Sequence, residues 1–192
     1  MMRLAVLLVT LAALAAGCGG SDEEASPPPT VLPRSTSVEE WASRLVGQLF
    51  VPTNRDIETL TTINNPQTKL FIVQGNETTL EVIRERMNDL AKCSDRLITI
   101  GPPPAGETRL PQLRRIDAAL HTACTHYTKV AETVKLAVKL MSSGRSDVIM
   151  RGERQLAGAV PDATAAAQAY DRAFKLALKI PEFRFVGLKP PG

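Results

Sequence analysis

Residues 113–141 read LRRIDAALHTACTHYTKVAETVKLAVKLM. Leu113, Ile116, Leu120, Ala123, Tyr127, Val130, Val134, Ala137 and Met141 recur at alternating steps of three and four. Four heptads with no polar residue on the stripe predict one long helix packed lengthwise against others. Ser142-Ser143-Gly144 follows and predicts its end, with glycine at a C-cap position.

The same pattern extends outward in both directions. Towards the C-terminus, Ile149, Leu156, Val160, Ala163, Ala167, Tyr170, Phe174 and Ala177 keep a heptad phase from a start at Ser146-Asp147. Pro161 lies inside this run and predicts a kink, because proline removes one backbone hydrogen bond. The apolar phase crosses it, so the run reads as one bent helix stopped by Pro181, with Phe183 to Gly192 as a loose tail. Towards the N-terminus, Leu80, Ile83, Met87, Leu90, Ser94 and Leu97 predict another helix, opened by a Thr78/Glu81 capping box and ended before Gly101-Pro102-Pro103-Pro104. Ser37-Val38-Glu39-Glu40 is a further capping box, from which Val38, Trp41, Leu45 and Leu49 run to a stop at Pro52. A short helical piece at 55–63 follows. The segment 67–77, with Leu70-Phe71-Ile72-Val73, reads as helix in the absence of any second strand to pair with it.

Two helices of about 30 residues, each about 45 Å long, joined by short links must pack antiparallel. The expected fold is therefore all-α: an up-and-down bundle of about four helices over residues 37–182, with 183–192 as a C-terminal tail. Composition agrees, since 44% of the chain is apolar but only 4% aromatic, which gives an aliphatic, helix-favouring core.

The first forty residues carry a different signal. Met1-Met2-Arg3 is followed by an apolar run from Leu4 to Ala16 broken only by Thr10. A positive start, a short apolar stretch and small residues at a cut make a secretory signal peptide, and the run is too short to span a bilayer. The run closes on Leu14-Ala15-Ala16-Gly17-Cys18, which resembles the lipobox of bacterial lipoproteins. Ala15 stands where leucine is commoner. The resemblance implies cleavage after residue 17, a lipid-bearing Cys18 with palmitate-type acyl chains, and a location on the outer face of the cell membrane. Residues 18–36 contain Gly19-Gly20-Ser21-Asp22-Glu23-Glu24 and a triple proline, a composition that predicts an extended or flexible tether.

Charge is distributed unevenly. Residues 18–64 carry 3 basic and 7 acidic side chains, and residues 101–192 carry 14 and 8. A basic C-terminal half suits anionic headgroups or wall polymers, or is a solvated helix surface. No basic patch is interleaved with aromatics, so no nucleic acid partner is expected.

With Cys18 assigned to lipid, Cys93 and Cys124 form an even pair in an oxidising compartment. Each flanks an apolar stripe, and the stripes face each other across the expected hairpin, which predicts a disulfide. The sharper alternative is a metal site, because Asp117, His121 and Cys124 lie at i, i+4 and i+7 with Cys93 as a possible fourth ligand. A thiol nucleophile built from Cys124 with His121 or His126 needs the same cysteine reduced. The disulfide takes precedence, so no metal, cofactor or catalytic residue is expected.

No Gly-rich phosphate loop, nucleophile elbow, HExxH or CxxC occurs. The leading functional expectation is a non-enzymatic helical interaction module with an envelope-protein or cell-wall partner. The alternatives are a lipid or small-molecule carrier, with a cavity beside the small residues Ala163 to Ala169, and a metal or thiol protein centred on His121 and Cys124.

Overall fold

The structure is a computed structural model and describes residues 34–189. The expected signal peptide, Cys18 and most of the tether lie outside the described residues. Within them the chain is helical, with no strand. In chain order the elements are α1 (Val38–Leu45), a π turn (Val46–Phe50), α2 (Val51–Ile63), α3 (Pro66–Val73), α4 (Glu77–Ala91), α5 (Cys93–Ile100), α6 (Leu110–Met141), α7 (Ser146–Gly158), α8 (Val160–Ala177) and α9 (Pro181–Phe185).

The helix read from residues 113–141 is α6, and every residue of its predicted stripe is buried. Residues off that stripe are buried too, among them Ala119, Cys124, Ala131 and Val138. The reason is that α6 has neighbours on several sides: α3, α4, α5, α7 and α8 all pack on it. The pairings run antiparallel. Thr128 of α6 bonds the carbonyl of Ala91 while Lys135 meets Asn88, and His126 meets Asp162 while Ala137 and Met141 meet Gly152. Across α2 and α4, Asp56 faces Arg86 while Thr62 and Thr79 line one groove.

Several element boundaries differ from expectation. Pro52 does not stop the first helix. A π turn at Val46–Phe50 carries the chain through, and Pro52 falls in the first turn of α2, where a missing N–H is tolerated. Trp41, Leu45, Leu49 and Phe50 are all fully buried along this run. The hydroxyl of Tyr170 reaches in from α8 to within 3.1 Å of the Phe50 carbonyl and 2.9 Å of Asn54 Oδ1, giving the irregular backbone a partner. The segment at 66–73 is helix, as expected, capped by Asn65. The N-cap of α4 is Asn76 and not Thr78, because the Asn76 side chain takes the Thr79 amide at 2.9 Å.

The expected single helix over 80–97 breaks at Lys92 into α4 and α5. Thr128 of α6 donates to the carbonyl of Ala91 at 3.1 Å beside the break. Cys93, and not Ser94, occupies the seam, followed by Leu97 and Ile100. The bent helix around Pro161 is likewise two, with a turn at Ala159. Its buried line runs Val148, Gly152, Leu156, Ala159, Ala166, Tyr170, Ala173 and Ala177, so Val160 and Ala167 point outward. The tail is not loose either. Phe183 is fully buried with its ring 5.8 Å from that of Trp41, and Leu188 is buried. Arg109, just ahead of α6, holds Glu182 through two hydrogen bonds, one of 2.9 Å.

Candidate binding groove

Cys93 and Cys124 lie at disulfide distance, with Cα atoms 5.1 Å apart, and both are buried. This pins the start of α5 to the middle of α6. The bond leaves Cys124 with no thiolate for a metal or for nucleophilic attack. His121 and Asp117, its neighbours in the alternative reading, are 3.9 Å apart on a partly exposed face of α6. Burial raises the Asp117 carboxyl above its ordinary range, opposed by the charge of His121. Among the described residues no three His, Cys, Asp or Glu side chains gather in a way that holds a metal ion. Cys18 lies outside the described residues.

His126, the other histidine offered as a base for Cys124, meets a partner of its own: its Nδ1 is 2.6 Å from Asp162 Oδ1 across the α6–α8 interface. Nothing in the sequence marks a pair 36 residues apart. A second polar cluster ties α2 to α4 and α5. Asp56 is almost wholly buried, 4.0 Å from Arg86 and 3.7 Å from Arg96, while Arg96 also reaches Asp89 at 3.5 Å. These are ion pairs too long to be hydrogen bonds. Burial pushes the Asp56 carboxyl up to about 6, against the pull of Arg96; Asp89 adds to the rise and Arg86 opposes it.

The concave feature with the clearest chemistry lies between the middle of α4 and the last two turns of α6. Leu80, Ile83, Arg84 and Asn88 project from one face of α4, at i, i+3, i+4 and i+8. Lys135, Val138, Lys139 and Ser142 project from α6, at i, i+3, i+4 and i+7. Helical geometry places each set along one side of its helix. Because the helices are antiparallel, the two rows face one another and enclose about 450 Å³ of open groove. Leu80, Ile83 and Val138 form an apolar floor. Arg84, Lys135 and Lys139 stand on the rim, and no carboxylate lines the space. Lys135 is held by Glu132 at 2.7 Å and lies 3.3 Å from Asn88. Arg84 and Lys139 make no ion pair among the described residues. Lys139 also meets the partial negative charge at the end of α6.

The groove was not legible in the sequence. Each row is an ordinary set of amphipathic helix positions, and only the register between α4 and α6 turns the two rows into one site. Comparison with protein families, curated proteins and solved structures finds no match for this chain. No helix among the described residues is long and apolar enough to cross a membrane.

Proposed function

We propose that this chain is a membrane-anchored, extracytoplasmic lipoprotein whose helical body is a non-enzymatic interaction module. In this reading residues 1–17 are the signal peptide, Cys18 carries the acyl chains and residues 18–36 are the tether. The antiparallel runs α1–α2, α4–α5, α6 and α7–α8 compose an up-and-down bundle of four. The groove between α4 and α6 receives an acidic, partly apolar segment of an envelope protein.

The observation that carries the reading is the composition and place of that groove. An apolar floor beneath a rim of three cations, with no lining carboxylate, complements a segment of opposite charge. The groove is also far from the end at which the tether joins the body. That end is marked by α9, held to Arg109, and Lys139 lies 30 residues further along α6, or about 45 Å. An anchored body would thus present the groove away from the bilayer. Interaction is favoured over carriage because the small residues of α7 and α8 are close-packed against α6. Ala166, Ala173 and Ala177 are fully buried, and Gly152 has no room for even a Cβ.

The test is photo-crosslinking in the native host from a reactive residue placed at Asn88, on the groove rim. The expected result is one discrete protein adduct that disappears when Arg84→Glu and Lys139→Glu are introduced together. An adduct pattern unchanged by the charge reversal would refute the groove as the binding site.

A further inference from the structure

The opposite end of the body carries a second unpartnered surface. Phe185 is 80% exposed, the most exposed large apolar side chain among the described residues, and it sits two residues from the fully buried Phe183. Phe183 stacks edge-on against Trp41, one turn into α1, and the Trp41 indole donates to the Gly101 carbonyl at 3.1 Å. These contacts place Phe185 and the last turn of α5, with its half-exposed Ile98, at the end where the chain enters α1 shortly after Arg34. The exposed cations Arg34, Arg114, Arg115, Lys179 and Arg184 belong to the segments that meet at this end, against Glu39, Asp95 and Glu107 as acids with no salt bridge there. The remaining acids of the end, Glu40, Glu182 and Asp117, face Arg44, Arg109 and His121.

We infer that this end docks on an anionic bilayer surface, with Phe185 inserted among the headgroups and the surrounding cations facing lipid phosphates. The inference rests on the proposed lipidation of Cys18, since that supplies the proximity. Fifteen residues lie between Cys18 and Arg34. The sixteen steps from Cys18 to Arg34 reach at most about 55 Å even when fully extended. The body is therefore held at high effective concentration over the membrane, where a face of only modest affinity from solution is largely occupied. An aromatic ring at the headgroup level with basic residues around it is the chemistry that such a surface takes up. Docking by this end would fix the body upright and hold the α4–α6 groove outward.

The experiment uses the whole mature chain, residues 18–192, with Cys18→Ser so that no acyl chain contributes. Its co-sedimentation is measured with vesicles containing phosphatidylglycerol and with vesicles of phosphatidylcholine alone. The expected result is binding to the anionic vesicles that weakens with salt and falls by roughly tenfold or more in Phe185→Ser. The pair Lys179→Glu and Arg184→Glu should reduce it at least as strongly, and vesicles of phosphatidylcholine alone should bind little. All of these side chains are exposed, so an unchanged helical spectrum and melting temperature accompany each variant. No binding to anionic vesicles, equal binding to both lipid compositions, or binding indifferent to Phe185 would overturn the inference. The anchor itself is read separately, from the mass of the unsubstituted protein: its absence there would remove the proximity argument whatever the vesicles show.

Discussion

Gly152 of α7 lies so close to α6 that a Cβ built on it would stand 2.7 Å from Met141 Cγ and 2.8 Å from the Ala137 carbonyl oxygen. This contact sets the phase of the whole returning helix. The seam runs Val148, Gly152, Leu156, Ala159 because the backbones come together at the glycine, and the larger side chains are packed around that approach.

Gly152→Ala must therefore push α7 off α6, since two of the three nearest atoms are backbone. A loss of roughly 1–3 kcal/mol is expected, as for overpacking of a filled core. Gly158, with nothing within 4 Å of its Cβ position, is the control. Gly158→Ala should be neutral or stabilising by up to about 1 kcal/mol. Urea denaturation of both variants separates close approach from helix propensity.

Tyr170→Phe keeps the ring contacts with Phe50 and Tyr127 but removes the hydroxyl that serves the π turn. The Phe50 carbonyl is then buried with one partner fewer. A cost of about 1–2 kcal/mol is expected. Hydrogen exchange should show the added opening concentrated in Val46–Asn54; an even loss across the protein would argue that the hydroxyl does not serve the turn.

The Cys93–Cys124 bond closes a sequence separation of 31 residues. Replacing both cysteines by serine should lower stability by roughly 2–4 kcal/mol in chemical denaturation, chiefly by freeing the unfolded chain. A change below about 0.5 kcal/mol would mean that α5 and α6 hold their register without it.

Asp56 supplies a pH signature. Its folded carboxyl titrates at about 6, above the ordinary value near 3.9. The folded state therefore favours the protonated form. The contribution is fully present below about pH 4 and is lost as pH rises through 6, by roughly 2–3 kcal/mol. Unfolding free energies from pH 4 to pH 7.5 should fall more steeply in the native protein than in Asp56→Asn, by about that amount. Parallel profiles would show that Arg86 and Arg96 already offset the burial.

The sequence made the helical class plain because the evidence for it is periodic and local. The α6 stripe was legible residue by residue, since each position carries an apolar side chain. The returning helix was read one residue out of phase at Val160 and Ala167, because its true seam is built of Gly152, Ala159 and Ala166, which contribute little hydrophobic signal. The same cause misplaced Ser94 for Cys93: a polar serine beside a cysteine gives no clear choice of face. Pro52 read as a stop because a proline inside a helical pattern usually is one, and the compensating donor, Tyr170, lies about 120 residues away. The cysteine pairing was readable from flanking stripes. The α4–α6 groove and the Phe185 end were not, since both depend on which helices meet and in what register.

The anchored-module account is tested most directly by the intact mass of the full-length protein, extracted in detergent from a bacterium that processes lipoproteins, without reductant and after thiol alkylation. The account predicts a chain beginning at Cys18, heavier by its acyl groups, lighter by the hydrogens lost to the Cys93–Cys124 bond, and carrying no alkyl label. A chain that begins elsewhere without acyl mass would contradict the anchor, and label on Cys93 and Cys124 would return Asp117, His121 and Cys124 to consideration as a site.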